Sequence, residues 1–185
     1  MQTKVAPTNI KNLNNHPFFF FIFNTTTLME GEEMGENVKC IYSTKNAENE
    51  FNINVLWVSR HPPINAQIEA LENKLGGINL FQLAGTVPNA EYVMEMAKKT
   101  HAEVIVPVLP LSMIARLAEL CRKENIVLLW AEMEQVKLLN HEPKPEKDYD
   151  PNTEVWIKGY ENTWKVMRFK GFKKIKQVKL ELEDW

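Results

Sequence analysis

The spacing of apolar residues changes character along this chain, and each change predicts an element. Val55-Leu56-Trp57-Val58 is an unbroken apolar run, and similar runs recur at 78–84, 104–109 and 126–130. Between them, apolar residues fall every three or four positions. That alternation predicts buried strands joined by amphipathic helices. Asn65 is placed to cap a first helix that buries Ile68, Leu71 and Leu75 and stops at Gly76-Gly77. Pro88-Asn89 opens a second, with Ala90, Val93, Met94 and Ala97 on one face and Lys98-Lys99 where cations suit the helix dipole. A third spans 112–123 and faces inward through Met113, Ile114, Leu117 and Cys121.

Strands buried on both faces, each followed by a helix, predict an α/β fold. The expectation is a three-layer Rossmann-like or flavodoxin-like parallel sheet of order 2-1-3-4, with right-handed crossovers. Residues 38–42 fit a short edge strand before a polar turn at 45–50. Beyond the Pro-punctuated stretch 140–152 (Pro143, Pro145, Pro151) the period falls to two. Residues 154–158 and 164–170, and the alternation of Val178, Leu180 and Leu182 with charges, predict a C-terminal β-meander. The expected organisation is an irregular or disordered leader over 1–36, an α/β domain over 37–139, a linker over 140–152 and a basic meander over 153–185.

Composition narrows the function classes. The 185 residues are 44% hydrophobic and 25% charged, with a formal net charge of −2. That suits one core with an appendage and argues against a dedicated duplex-DNA binder. No apolar run approaches the ~20 residues needed to span a bilayer. The Phe-rich run at 18–23 is short for a signal peptide, and Asn24-Thr25-Thr26-Thr27 is a poor cleavage site. With Cys40 and Cys121 as the only cysteines, and no metal-ligand spacing, reduced thiols, no metal, no cofactor and a cytoplasmic location are expected. Neither a dinucleotide-binding glycine motif nor a Walker A sequence occurs.

Candidate chemistry sits where two strands end. In an open α/β sheet, ligands bind beyond the carboxyl ends of the strands that flank the reversal of strand order. Ser59-Arg60-His61-Pro62-Pro63 follows the first run, and Leu109-Pro110-Leu111-Ser112-Met113 follows the third. A guanidinium that forks onto phosphate oxygens, a hydroxyl donor and helix N–H groups suit a phosphodiester, and His61 can give or take a proton. The plainer alternative is a solvated connector in which Arg60 pairs a surface acid, beside an ordinary helix start at Pro110. In the tail, Lys165, Arg168, Lys170, Lys173, Lys174 and Lys176 are interleaved with Met167, Phe169 and Phe172 and no acid intervenes. Such a ribbon suits a nucleic-acid backbone, or simply protects a strand edge.

Ser59-Arg60-His61-Pro62, together with Leu109-Pro110-Leu111-Ser112 and the helix Met113-Ile114-Ala115-Arg116-Leu117-Ala118, resembles a small family of CRISPR-associated ring nucleases in the CARF (CRISPR-associated Rossmann fold) group. The likeness covers about residues 53–136. It departs from the family at Val108 and Pro63, where glycines are the rule. The resemblance implies a homodimer that holds a ring of adenylates between two clefts. It further implies metal-independent cleavage by attack of a ribose 2′-hydroxyl on the adjacent phosphate. Arg60 would stabilise the phosphorane and Ser59 and Ser112 would hold oxygens. His61 would serve as acid or base, with Pro62, Leu109, Pro110, Leu111 and Met113 lining the ligand. Two alternatives accompany this expectation: a non-catalytic sensor of the same ligand, and a nucleic-acid or partner-binding protein of a virus or mobile element.

Overall fold

The computed structural model describes residues 37–44, 52–179, 181 and 183. The 1–36 leader, the 45–50 turn and Leu180 and Leu182 of the tail alternation lie outside the described residues. The elements are β1 (Val38–Ser43), β2 (Ile53–Val58), α1 (Asn65–Leu75), β3 (Ile78–Leu83), α2 (Ala90–Lys99), β4 (Val104–Pro107), α3 (Leu111–Lys123), β5 (Val127–Leu139), β6 (Glu154–Lys158) and β7 (Trp164–Lys174). Among the described residues no helix is long and apolar enough to cross a membrane.

One seven-stranded mixed sheet carries the fold, in the order β1-β3-β2-β4-β5-β7-β6. This overturns the expected three-layer Rossmann-like or flavodoxin-like parallel sheet of order 2-1-3-4 with a meander beside it. β3, β2, β4 and β5 do run parallel as neighbours, but only as the middle of the larger sheet. β1 closes one side antiparallel to β3, while β7 and then β6 extend the other side by antiparallel pairing.

The difference originates in β5. Its apolar run ends at Trp130, yet the strand continues to Leu139, its outer part held by antiparallel pairing with β7. Only the first two residues of β5 pair with β4, whereas Leu129 to Leu139 pair with β7. The tail is therefore woven into the sheet. Register shifts at Glu132/Met133 and Gln135/Lys137 mark bulges, and Gly171, with φ of +142°, faces Glu132 across the pair. Bulges add twist and bend the strand that carries them, and that backbone angle favours glycine.

The pleat divides β2 between two cores. Leu56 and Val58 join Leu83, Ile105 and Leu128 beneath α2 and α3. Val55 and Trp57 face the other way, with Leu71 of α1, Ile78, Leu80, Val104 and Val106. Among the described residues that second face has only one helix. Leu129, Ala131 and Phe172 of β5 and β7 complete its cover, so the sheet curls back toward α1. Burying each large side chain of this kind contributes roughly 1.5–3 kcal/mol relative to exposure.

Local details refine the helix starts. Asn89 caps α2 as expected, its Oδ1 accepting from Tyr92 N at 2.8 Å. Asn65 does not cap α1: Ile64 takes that position, and its N–H donates to Gln67 Oε1 at 3.0 Å. Asn65 instead reaches the loop before β6, donating through Nδ2 to Asn152 Oδ1 at 2.7 Å.

Candidate functional site

β2 and β4 are adjacent and parallel, with Val58 opposite Pro107. The pairing continues one step further, since Val108 N donates to Val58 O at 2.9 Å. The chain therefore leaves both strands on the same rim of the sheet, with no strand between them. Pro107 is the last residue of β4, where its missing N–H leaves no gap in the ladder.

The loop after β2 is held from both sides. Ser59 Oγ accepts from His61 N at 3.1 Å, and Ser59 O accepts from Gln82 Nε2 of β3 at 2.9 Å. Trp57 packs its ring in the core and donates its indole N–H to His61 O at 2.8 Å. Backbone and hydroxyl are thus fixed while Arg60, His61 and Pro62 are exposed. Pro63, next in line, is buried. Among the described residues Arg60 has no ion-pair or hydrogen-bond partner, so the surface acid of the plainer reading is missing.

The loop after β4 delivers a helix start. Pro110 occupies the N-cap of α3, with no side-chain cap, and Leu111 is the first helical residue. Met113 N and Ile114 N both turn onto Pro110 O, at 3.0 and 3.1 Å. The donors left at this end are the amides of Leu111 and Ser112 and the Ser112 hydroxyl, none with a partner among the described residues. Leu109 is half-buried against the core, and Met113 is half-buried. Val108 and Leu111 expose 60% and 59% of their surface, giving the rim apolar shoulders.

The sequence pointed to two helix N-termini here, and only one remains open. At α1, Ala66 N donates to Asn152 O at 2.9 Å and Gln67 N to Ile64 O. The loop before β6 occupies the end of α1 that follows His61-Pro62-Pro63. Positive potential at the rim therefore comes from Arg60 and from α3. Arg116, one turn into α3, is committed to Glu91 and Glu119 at 2.8 and 3.1 Å. The Arg116 guanidinium in turn holds the Glu91 carboxyl below its ordinary value.

Half of the basic ribbon is answered by neighbouring strands. Arg168 pairs with Glu154, Lys170 with Glu134 and Lys173 with Glu132. Lys165, Lys174 and Lys176 have no ion-pair partner among the described residues. The acids absent from the local sequence come from β5 and β6, so the ribbon is not the continuous cationic track its sequence suggested.

Gln82 and Trp57 were missed as supports of the rim. Trp57 carried a usable signal, because a buried indole N–H usually finds an acceptor. Gln82 carried none, since its partner is a backbone carbonyl 23 positions away. Two surface hollows among the described residues lie away from the rim. One of about 430 Å³ is lined by Lys137, Glu146, Asp150, Glu154 and Arg168, and one of about 290 Å³ lies beside the end of α3. Comparison with known proteins finds no family whose model matches the chain, and no matching curated protein or solved structure.

Proposed function

We propose that the rim formed by the β2 and β4 loops binds the phosphodiester of a cyclic oligoadenylate and cleaves it without a metal. The observation that carries this reading is Arg60, an exposed guanidinium without a partner among the described residues, on a braced loop beside the open start of α3. A phosphodiester with apolar rings fits such a place. Its anionic oxygens meet Arg60, Ser112 and the first amides of α3, and its bases meet Val108 and Leu111. The proposal rests on this rim chemistry and on the resemblance of the two loops to ring nucleases, and the parallel-sheet fold is no part of it.

In the proposed step a ribose 2′-oxygen loses its proton and bonds to the adjacent phosphorus. The bond from phosphorus to the 5′-oxygen breaks, and that oxygen takes up a proton. The product is a linear oligoadenylate ending in a 2′,3′-cyclic phosphate. The protein positions the ring for in-line attack and stabilises the extra charge on the phosphorane through Arg60. His61 supplies or removes the proton, and Ser59 and Ser112 hold oxygens. A ring is broad and the rim is open, so two copies of the chain facing each other would enclose it.

The test is incubation of the full chain with cyclic tetra-adenylate and cyclic hexa-adenylate, followed by chromatographic separation of products. Linear product carrying a cyclic phosphate is the expected result, and Arg60→Ala should slow its formation about a hundredfold, the usual effect of one lost charge-stabilising donor. Turnover undiminished in that variant refutes the role given to Arg60. Saturable binding without linear product would leave a sensor in place of an enzyme.

A further inference from the structure

The cations of β7 fall into two groups. Arg168, Lys170 and Lys173 are each neutralised by a carboxylate on β5 or β6. Lys174 and, just past the strand, Lys176 are not. They rim the 290 Å³ hollow between the last turn of α3 and the end of β7, together with Arg122 of α3. Among the described residues none of the three has an ion-pair partner, and no carboxylate lines the hollow. Its floor is apolar: Cys121 and Leu128 are buried there, and Ile175 packs against the same core. Ile175 N donates to Leu128 O at 2.8 Å, which pins the tail along one side.

Three like charges gathered over one apolar surface repel one another, and a bound anion relieves that repulsion. The C-terminal end of α3 favours Arg122 by its dipole. We propose that this hollow is a binding site for a small amphipathic anion, with a phosphate-type head among Arg122, Lys174 and Lys176 and a short apolar body on the floor. The volume equals that of roughly ten waters at about 30 Å³ each, which suits a ligand of similar non-hydrogen atom count. The site is separate from the rim at Arg60, and its existence does not depend on the ring-cleavage reading.

The probe is hexyl phosphate, titrated calorimetrically into the full chain, with inorganic phosphate and hexanol as comparators that supply head or body alone. Saturable binding of hexyl phosphate, at least tenfold tighter than either comparator, is the expected result. The triple variant Arg122→Gln/Lys174→Gln/Lys176→Gln should lose at least tenfold in affinity. Lys99→Gln, which removes a charge elsewhere, should bind as the parent does. If the triple variant does not fold, as judged by circular dichroism, the exposed Lys176→Gln alone should weaken binding several-fold. Co-flotation with vesicles of phosphatidylcholine and phosphatidylglycerol distinguishes a lipid headgroup from a free phosphoester as the source of the anion. Absence of saturable hexyl phosphate binding, or binding unchanged by removal of these cations, overturns the site.

Discussion

Replacing Arg168 by alanine should expose how the added strands are held to the sheet. The Glu154 side chain is only 4% exposed. Its Oε1 accepts from Arg168 Nε and Nη2 at 2.9 and 2.7 Å, and Oε2 accepts from Asp150 N at 3.0 Å. Burial pushes the carboxyl up, but the Asp150 N–H and the Arg168 guanidinium more than offset it and hold the group below its ordinary value. Truncating Arg168 removes both bonds to Oε1 and leaves a buried carboxylate with one donor. Breaking a fully buried pair costs about 3–5 kcal/mol, but this guanidinium is half exposed and solvent screens it, so a loss of about 2 kcal/mol is expected. For a chain of this size that corresponds to a fall of about 4–8 °C in Tm. The sign with pH follows from the lowered value. Stability from the pair is present above the ordinary carboxylate range and is lost as pH falls through the folded value. Urea unfolding followed by intrinsic tryptophan fluorescence should therefore show the largest gap between parent and variant near neutrality. The gap should shrink as pH falls below the ordinary carboxylate range and Glu154 becomes protonated. Glu154→Gln should make the loss of Arg168 nearly silent. A gap that is independent of pH, or below about 0.5 kcal/mol at neutrality, would refute the coupling.

Two further outcomes concern the opposite half of the molecule. Asn89→Ala removes the acceptor for Tyr92 N and should destabilise by about 1 kcal/mol in the same assay, while Asn89→Asp should be close to neutral; equal losses in both would show that the cap is not the cause. The Tyr42 phenol is half-buried and donates to Glu72 Oε1 at 2.8 Å, and partial burial together with that carboxylate pushes its pKa up to about 12. Ultraviolet titration should show a phenol ionising well above the ordinary tyrosine value, and stability should decline as pH rises from 10 toward 12; that late phase should vanish in Tyr42→Phe.

What the sequence could reveal follows from where each signal resides. The β2 and β4 runs, the cap at Asn89 and the inward face of α3 are encoded by neighbours in the chain, so period and capping chemistry expose them. The adjacency of the Ser59 and Pro110 loops was legible because β2 and β4 are short apolar runs that each pass into a helix. β5 was cut short because its outer half pairs with β7 while mostly half-exposed, leaving only weak alternation to read. The fold class was misjudged for the same reason, since that pairing draws the tail into the sheet. Asn65 lost its expected cap role because the helix starts one position earlier: Ile64 is the N-cap and its N–H donates to Gln67 Oε1. The paired state of Arg168, Lys170 and Lys173 was invisible because their acids lie on other strands, 14 to 41 positions away.

Affinity of the full chain for cyclic tetra-adenylate, measured with Arg60→Ala and Ser112→Ala each against the parent, bears most directly on whether the two loops act as one site. Both substitutions should weaken binding, and the double variant should lose less than the sum of the two losses, because the residues grip the same ligand group. If either change leaves affinity untouched, or neither protein nor variants bind the ring at all, the rim of β2 and β4 is not a composite phosphodiester site.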